Sequence, residues 1–117
     1  MSIDEIANVN LPDAGKFKFV LVDVTDGERT KPVLVAGPGE NHRDIVKDFE
    51  FSLPMEMWLS EIKGGGRVEL NPGSIYAFGE SKWYGMAPQD QVENLLRAYV
   101  SEQKPETTVK VQMGVGY

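Results

Sequence analysis

Residues 17–24, with the sequence FKFVLVDV, alternate as a β-strand does, and both of the faces that they form are apolar except near the ends. A strand with two apolar faces is buried on both sides, so this segment predicts a central strand of a covered sheet. Lys18 is then a charge at the beginning of the strand, where its role is either structural or functional. The fold must therefore supply a covering layer on each side of this strand.

Further strands are predicted by the same alternation. They are residues 31–36, 55–59 together with 68–70, 74–79 and 107–113. The polar turn before residue 31 and the Asn-Pro-Gly turn before residue 74 indicate two hairpins. A helix across residues 55–62 is the alternative for the first part of the second hairpin. The remaining segments are turns, loops or helices.

Two helices are indicated by start signals and by apolar spacing. Asn41, followed three residues later by Asp44, has the pattern of a helix N-terminus, which places His42 in the first turn. Pro88 takes the first-turn position of the second helix. The apolar stripes are Ile45, Val46 and Phe49 in the first helix and Val92, Leu95, Leu96, Tyr99 and Val100 in the second. The order ββαβββαβ predicts an α/β (α+β) fold, a mixed β-sheet flanked by two helices.

The chain of 117 residues is long enough for one domain and too short for two. Residues 1–14 mix charges with turn formers and show no sustained period, so we expect an N-terminal leader on the surface and a single domain over residues 15–117. The first ten residues lack the basic start and the apolar run of a signal peptide. No stretch approaches the ~18 apolar residues of a membrane span. A cytoplasmic protein is expected.

The composition excludes several kinds of chemistry. The absence of cysteine removes cysteine nucleophiles, thiolate metal sites and disulfides. Because there is one histidine and no carboxylate spacing of a calcium loop, we expect no metal and no cofactor. The net charge of -6 repels nucleic-acid backbones and anionic membranes, so neither is an expected partner. Because of this net negative charge, any phosphate-bearing partner must bind at a local basic patch. We also expect the protein to be a monomer.

Three segments could carry a site, and each has a plain structural alternative. His42 combines a side chain that titrates near neutrality with the free N–H groups of a helix N-terminus, although a lone histidine there is most often a surface residue. The glycine run 64–66 with Arg67 is either an anion-binding nest or a β-bulge. The loop 81–85 (SKWYG) either carries a site with its hydroxyl, ammonium and aromatic groups or caps the core.

Taken together, these segments resemble the protein-histidine phosphatases of the Janus/ocnus family. The resemblance is carried by residues 15–22, 41–45, 64–68 and 81–85, in the family's order and at approximately its spacing. It extends over nearly all of the proposed domain, from about residue 15 to the C-terminus. The combination of His-x-Asp-Ile with Gly-Gly-Gly-Arg is much more specific than either motif alone.

The resemblance implies a metal-independent hydrolase that removes phosphate from phosphohistidine in proteins or peptides and releases inorganic phosphate. It implies that His42 is the catalytic residue, as general base or as nucleophile. For phosphate binding it implies Lys18, Arg67 and Ser81, together with the backbone N–H groups that follow the histidine. We further expect Arg43, Asp44 and Lys82, which lie in the same segments, to contribute to phosphate binding. A P–N bond is labile once its nitrogen is protonated, so the enzyme has chiefly to hold the phosphoryl group, neutralise its charge and orient a water.

A second function uses the same cradle without turnover, namely a non-catalytic module that binds phosphate or a phosphoprotein. Phosphate release from phosphohistidine, phospholysine and phosphoarginine separates the two. The sequence departs from the family pattern at Arg43, where a small residue is usual, and at Lys82 and Trp83, which replace a methionine and a small residue. The resemblance therefore leaves the preference among these substrates open.

Overall fold

The structure is a computed structural model that describes residues 2–38 and 41–116, and over these residues it consists of a mixed six-stranded sheet flanked by two α-helices. The strands are β1 (Val9–Asn10), β2 (Gly15–Thr25), β3 (Thr30–Gly37), β4 (Trp58–Asn71), β5 (Ser74–Gly79) and β6 (Thr108–Met113). The helices are α1 (His42–Ser52) and α2 (Gln89–Gln103), and a short 3-10 turn spans Ile3–Glu5. Met1 of the predicted leader and Tyr117 of the predicted domain lie outside the described residues.

The strands lie in the order β1-β3-β2-β4-β5-β6. The inner pairs are antiparallel, whereas β1 is parallel to β3 and β6 is parallel to β5. This arrangement confirms the predicted mixed sheet and both predicted hairpins. Strand β4 runs through the glycine run 64–66 without a break, so the alternative helix across residues 55–62 does not form.

Strand β2 is covered on both faces, as its sequence predicts. Phe19 and Leu21 pack in the core cluster beneath α2, and Val20 and Val22 pack in the cluster beneath α1. All four side chains are fully buried. Each contributes about 1.5–3 kcal/mol through burial of apolar surface, so β2 anchors the sheet on which the other elements are built.

No helix among the described residues has the length and apolar character needed to cross a membrane.

The segment predicted as a surface leader packs into the domain. Val9 pairs with Leu34 in the parallel β1–β3 ladder, and the side chains of Ile3 and Val9 are buried. The Lys31 ammonium group donates hydrogen bonds to the carbonyl oxygens of Ile3 and Ile6. A strand of two residues is too short to show alternation, and for that reason the sequence did not reveal it.

Candidate functional site

The first residue of α1 is His42, and its imidazole lies over strand β4. The Asn41 side chain caps the helix by accepting a hydrogen bond from the Asp44 N–H at 3.0 Å, which confirms the predicted N-terminus. The Nε2 atom of His42 lies 2.9 Å from the carbonyl oxygen of Gly66. Only 5% of His42 is exposed, so the alternative of a surface histidine is wrong.

The contact with Gly66 determines which imidazole nitrogen carries the proton. A carbonyl oxygen can only accept, so Nε2 of His42 must donate, and the neutral ring keeps its lone pair on Nδ1. Nδ1 has no hydrogen-bond partner among the described residues, and no polar side-chain atom there is fully buried without a partner. Nδ1 is therefore reachable from solvent. The histidine thus presents a basic nitrogen in a fixed orientation.

The glycine run lets the imidazole and Ser81 approach the strand closely. A Cβ atom at Gly65 would lie 2.6 Å from the carbonyl oxygen of Phe19, 2.8 Å from Cδ2 of His42 and 3.2 Å from Cβ of Ser81. Gly65 therefore forms a floor on which both side chains sit. A register shift opposite Leu21 and Val22 precedes the run, which confirms the bulge alternative. The imidazole contacts the run at the Gly66 carbonyl oxygen. The Gly65 N–H donates to the Gly85 carbonyl oxygen at 3.0 Å, so it is not available to an anion-binding nest.

Lys18 and Arg67 are direct partners in the antiparallel β2–β4 register, so both side chains lie on the same face of the sheet. That face is the one covered by α1. Lys18 and Val20 are two residues apart on β2, so their side chains lie on the same face, and Val20 packs beneath α1. With Gly37, Pro38 and other residues, the two cations line an open cleft of about 380 Å³. The histidine ring is not part of the wall of this cleft, but the charges of Lys18 and Arg67 act on it.

The surroundings of His42 favour the neutral imidazole. Burial is the main cause that lowers its pKa, and the positive charges of Lys18 and Arg67 lower it further. The hydrogen bond to the Gly66 carbonyl acts in the opposite direction and raises the pKa, but it is outweighed. A neutral histidine with a free Nδ1 suits either a base or a nucleophile.

We expect the imidazole of the free protein to titrate below about 6.5, the ordinary histidine value, and bound phosphate to raise the midpoint. By linkage, we then expect phosphate to bind more tightly to the protonated form. Because the folded-state pKa is lowered, the unfolded chain takes up the proton first, and stability falls as the pH drops below about 6.5. An NMR titration with and without phosphate follows this one histidine without an assignment problem. A free-state midpoint above 6.5 contradicts the expectation.

Ser81 is buried in the loop between β5 and α2, with 1% of its surface exposed. Its Oγ accepts hydrogen bonds from the N–H groups of Trp83 at 3.2 Å and Tyr84 at 3.1 Å. Its backbone exchanges two further hydrogen bonds with Gly85. The loop is thus tightly built, and the hydroxyl retains one hydrogen to donate. The capping alternative, in which the aromatic side chains fold onto the core, holds for Tyr84 but not for Trp83, which is exposed.

The other predicted phosphate-binding residues are placed differently. Arg43 follows His42 on α1, and its guanidinium lies over the Trp83 ring, 4.6 Å from the centroid. The Asp44 N–H is occupied by the Asn41 cap, and its side chain is exposed. Lys82 is also exposed. The structure therefore groups His42 with Lys18, Arg67 and Ser81, and it does not bring the Asp44 or Lys82 side chain into contact with them.

Two features of the site were missed by the sequence analysis. The carbonyl of Gly66 orients the imidazole, and Trp83 stacks with Arg43. Glycines inside an alternating strand signal the close approach of another element, so the role of the run as a floor was open to prediction. The stack joins residues from two distant segments, so no local sequence pattern predicts it.

The model of the Janus/Ocnus family matches residues 3–104. The chain is 32% identical over 105 residues to the sex-regulated protein janus-A of Drosophila yakuba, covering 86% of this chain and 77% of that protein. It is 30% identical over 120 residues to janus-A of Drosophila pseudoobscura pseudoobscura, covering 92% of this chain and 80% of that protein.

The described residues contain no group of three or more histidine and carboxylate side chains that could hold a metal ion.

Proposed function

The chain belongs to the Janus/Ocnus family, and from that premise and its site we propose a metal-independent phosphatase that hydrolyses phosphohistidine in proteins or peptides. The observation that carries the proposal is the buried His42, which donates from Nε2 to the Gly66 carbonyl and keeps Nδ1 without a partner among the described residues, while the charges of Lys18 and Arg67 act on the ring. A histidine held only for packing has no need of an open basic nitrogen next to Lys18 and Arg67.

The cations and the helix N-terminus supply what a phosphoryl group needs. Lys18 and Arg67 neutralise its oxygens, and the guanidinium can bind two of them at once. The first N–H groups of a helix have no partner within the helix, and of these the Asp44 N–H is used by the cap. The N–H groups of His42 and Arg43 point toward the same end of α1 and can bind a phosphoryl oxygen.

The reaction needs one basic nitrogen in a fixed place. As general base, Nδ1 of His42 takes a proton from water while the water oxygen bonds to phosphorus and the P–N bond breaks toward the protonated leaving imidazole. As nucleophile, Nδ1 itself bonds to phosphorus while the substrate's P–N bond breaks and its protonated imidazole leaves. In a second step water attacks the phosphorus, the Nδ1–P bond breaks, and phosphate is released. The hydrogen bond from Nε2 to the Gly66 carbonyl serves both routes, because it fixes the orientation of the ring and stabilises the positive charge that develops on it.

The proposal is tested by incubating the protein with phosphohistidine, phospholysine and phosphoarginine in excess EDTA and measuring released phosphate. We expect release from phosphohistidine that the chelator does not diminish. Activity that EDTA abolishes and one divalent ion restores contradicts the metal-independent mechanism. Binding of phosphohistidine without turnover supports a non-catalytic phosphoprotein-binding module.

We expect Arg67→Ala to lower kcat/KM by about 10²-fold or more and Lys18→Ala by about tenfold, because a guanidinium binds and orients two oxygens whereas an ammonium group acts as a point charge. Steady-state kinetics with phosphohistidine measures both. Lys16→Ala is the matched control, since Lys16 is an exposed cation of the same cleft that pairs with Glu69 at 3.4 Å. If Arg67→Ala folds and retains wild-type kcat/KM, Arg67 belongs to the strand and not to the site.

A further inference from the structure

Arg43 and Trp83 form a stacked pair at the edge of the site. The guanidinium carbon of Arg43 lies 4.6 Å from the centroid of the indole. Arg43 directly follows His42 on α1, and Trp83 lies two residues after Ser81 in the loop. Because His42 and Ser81 share the floor at Gly65, the stack stands beside the groups that would act on a bound phosphoryl group.

Both members of the pair are held in place by the backbone. The Trp83 N–H donates to Ser81 Oγ at 3.2 Å, and Ser81 is itself buried. Arg43 lies in the capped first turn of α1. A cation over an indole face gains about 0.5–1 kcal/mol at an exposed site, so the stack restricts a side chain that would otherwise be free to rotate.

The stack leaves binding groups open to solvent. Trp83 is 61% exposed although it is a large apolar side chain. Stacking uses the face of the guanidinium, so its N–H groups remain available at the edge of the plane. Among the described residues no carboxylate forms an ion pair with Arg43, whereas Arg29 and Arg97 each have an acidic partner. Lys82, next to Trp83, adds a second exposed positive charge.

We propose that Arg43, held on Trp83, is a specificity-determining residue that binds the carboxylate of an acidic residue flanking the phosphohistidine. This inference rests on the proposed function and names its substrate class. Guanidinium groups bind carboxylates through two parallel hydrogen bonds, and a stacked guanidinium loses little freedom on binding. A chain of net charge -6 repels acidic peptides overall, so it needs a local cationic group to accept one.

The test compares two phosphohistidine peptides that differ only in the flanking residue, glutamate or lysine, together with free phosphohistidine. The wild-type protein should favour the glutamate peptide by about tenfold in kcat/KM, the size of one charge-assisted hydrogen-bonded pair. Arg43→Ala should remove that preference, because the carboxylate of the glutamate peptide then lacks its guanidinium partner. Trp83→Phe should keep most of the preference, and Trp83→Ala should lose most of it. Arg97→Ala, an exposed arginine on α2, is the matched control.

Failure of this inference is distinguishable from failure of the proposed function. If the protein hydrolyses none of the three substrates, the phosphatase proposal is contradicted, and specificity is then read from binding. Fluorescence anisotropy with the same peptides carrying a stable phosphonate analogue of phosphohistidine measures that binding. Tighter binding of the glutamate peptide that Arg43→Ala abolishes supports the inference. Equal affinity for the two peptides, or binding of neither, overturns it.

Discussion

We expect His42→Gln to lower kcat/KM for the proposed phosphohistidine hydrolysis by about 10³-fold or more, while the protein remains folded. Glutamine can place an N–H near the position of Nε2 and so keep the hydrogen bond to the Gly66 carbonyl, but it has no basic nitrogen in place of Nδ1. The loss then reports the chemistry of Nδ1 alone, at the level of a removed general base or nucleophile. Steady-state kinetics and thermal unfolding of the same preparation measure the two effects.

The comparison with His42→Ala separates chemistry from structure. Alanine removes both nitrogens and leaves the Gly66 carbonyl without this donor, so the free energy of unfolding should fall by about 1–3 kcal/mol more than for His42→Gln. Both variants should lack activity to a similar degree. If His42→Gln retains activity within about tenfold of wild type, Nδ1 is neither the base nor the nucleophile.

We expect Gly65→Ala to reduce the free energy of unfolding by about 2–4 kcal/mol and to remove most of the proposed phosphatase activity. The added Cβ would lie 2.6 Å from the Phe19 carbonyl oxygen, a backbone atom of the central strand that cannot move aside cheaply. It would also lie 2.8 Å from Cδ2 of His42, so the imidazole must shift away from Gly66. Chemical denaturation and steady-state kinetics measure the two losses.

Gly37→Ala is the matched control for this substitution. A Cβ at Gly37 would have its nearest neighbour, Cγ1 of Ile45, at 3.9 Å, an ordinary contact distance. Its stability should change by less than about 1 kcal/mol. A Gly65→Ala protein with wild-type stability and activity would mean that the imidazole does not rest on this glycine.

The parts of the site that local sequence determines were predictable. The cap from Asn41 to Asp44 involves residues only three positions apart. It therefore places His42 in the first turn independently of contacts with distant segments. The two apolar faces of residues 17–24 likewise predict a covered central strand. These predictions needed no knowledge of which distant segments meet.

The remaining parts depend on contacts between distant segments. The pairing of Lys18 with Arg67 requires the β2–β4 register, which a shift beside the glycine run alters. The sequence places Lys18 at the start of a strand and Arg67 at the end of the glycine run, but it does not say that they face each other. In the same way, the stack of Arg43 on Trp83 arises only when α1 and the loop after β5 are both docked on the sheet. A single sequence contains no direct signal of such contacts between distant segments.

The β2–β4 pairing also sets the order in which the molecule can assemble. Hairpins β2–β3 and β4–β5 close over short turns, so they can form within microseconds from local contacts. Strands β2 and β4 are separated in the chain by β3 and α1, and closing that longer loop is the slower, topology-limited step. Because Lys18 and Arg67 lie on opposite sides of this junction, neither hairpin alone contains the site. The proposed phosphatase activity should therefore appear during refolding only when strands β2 and β4 have paired.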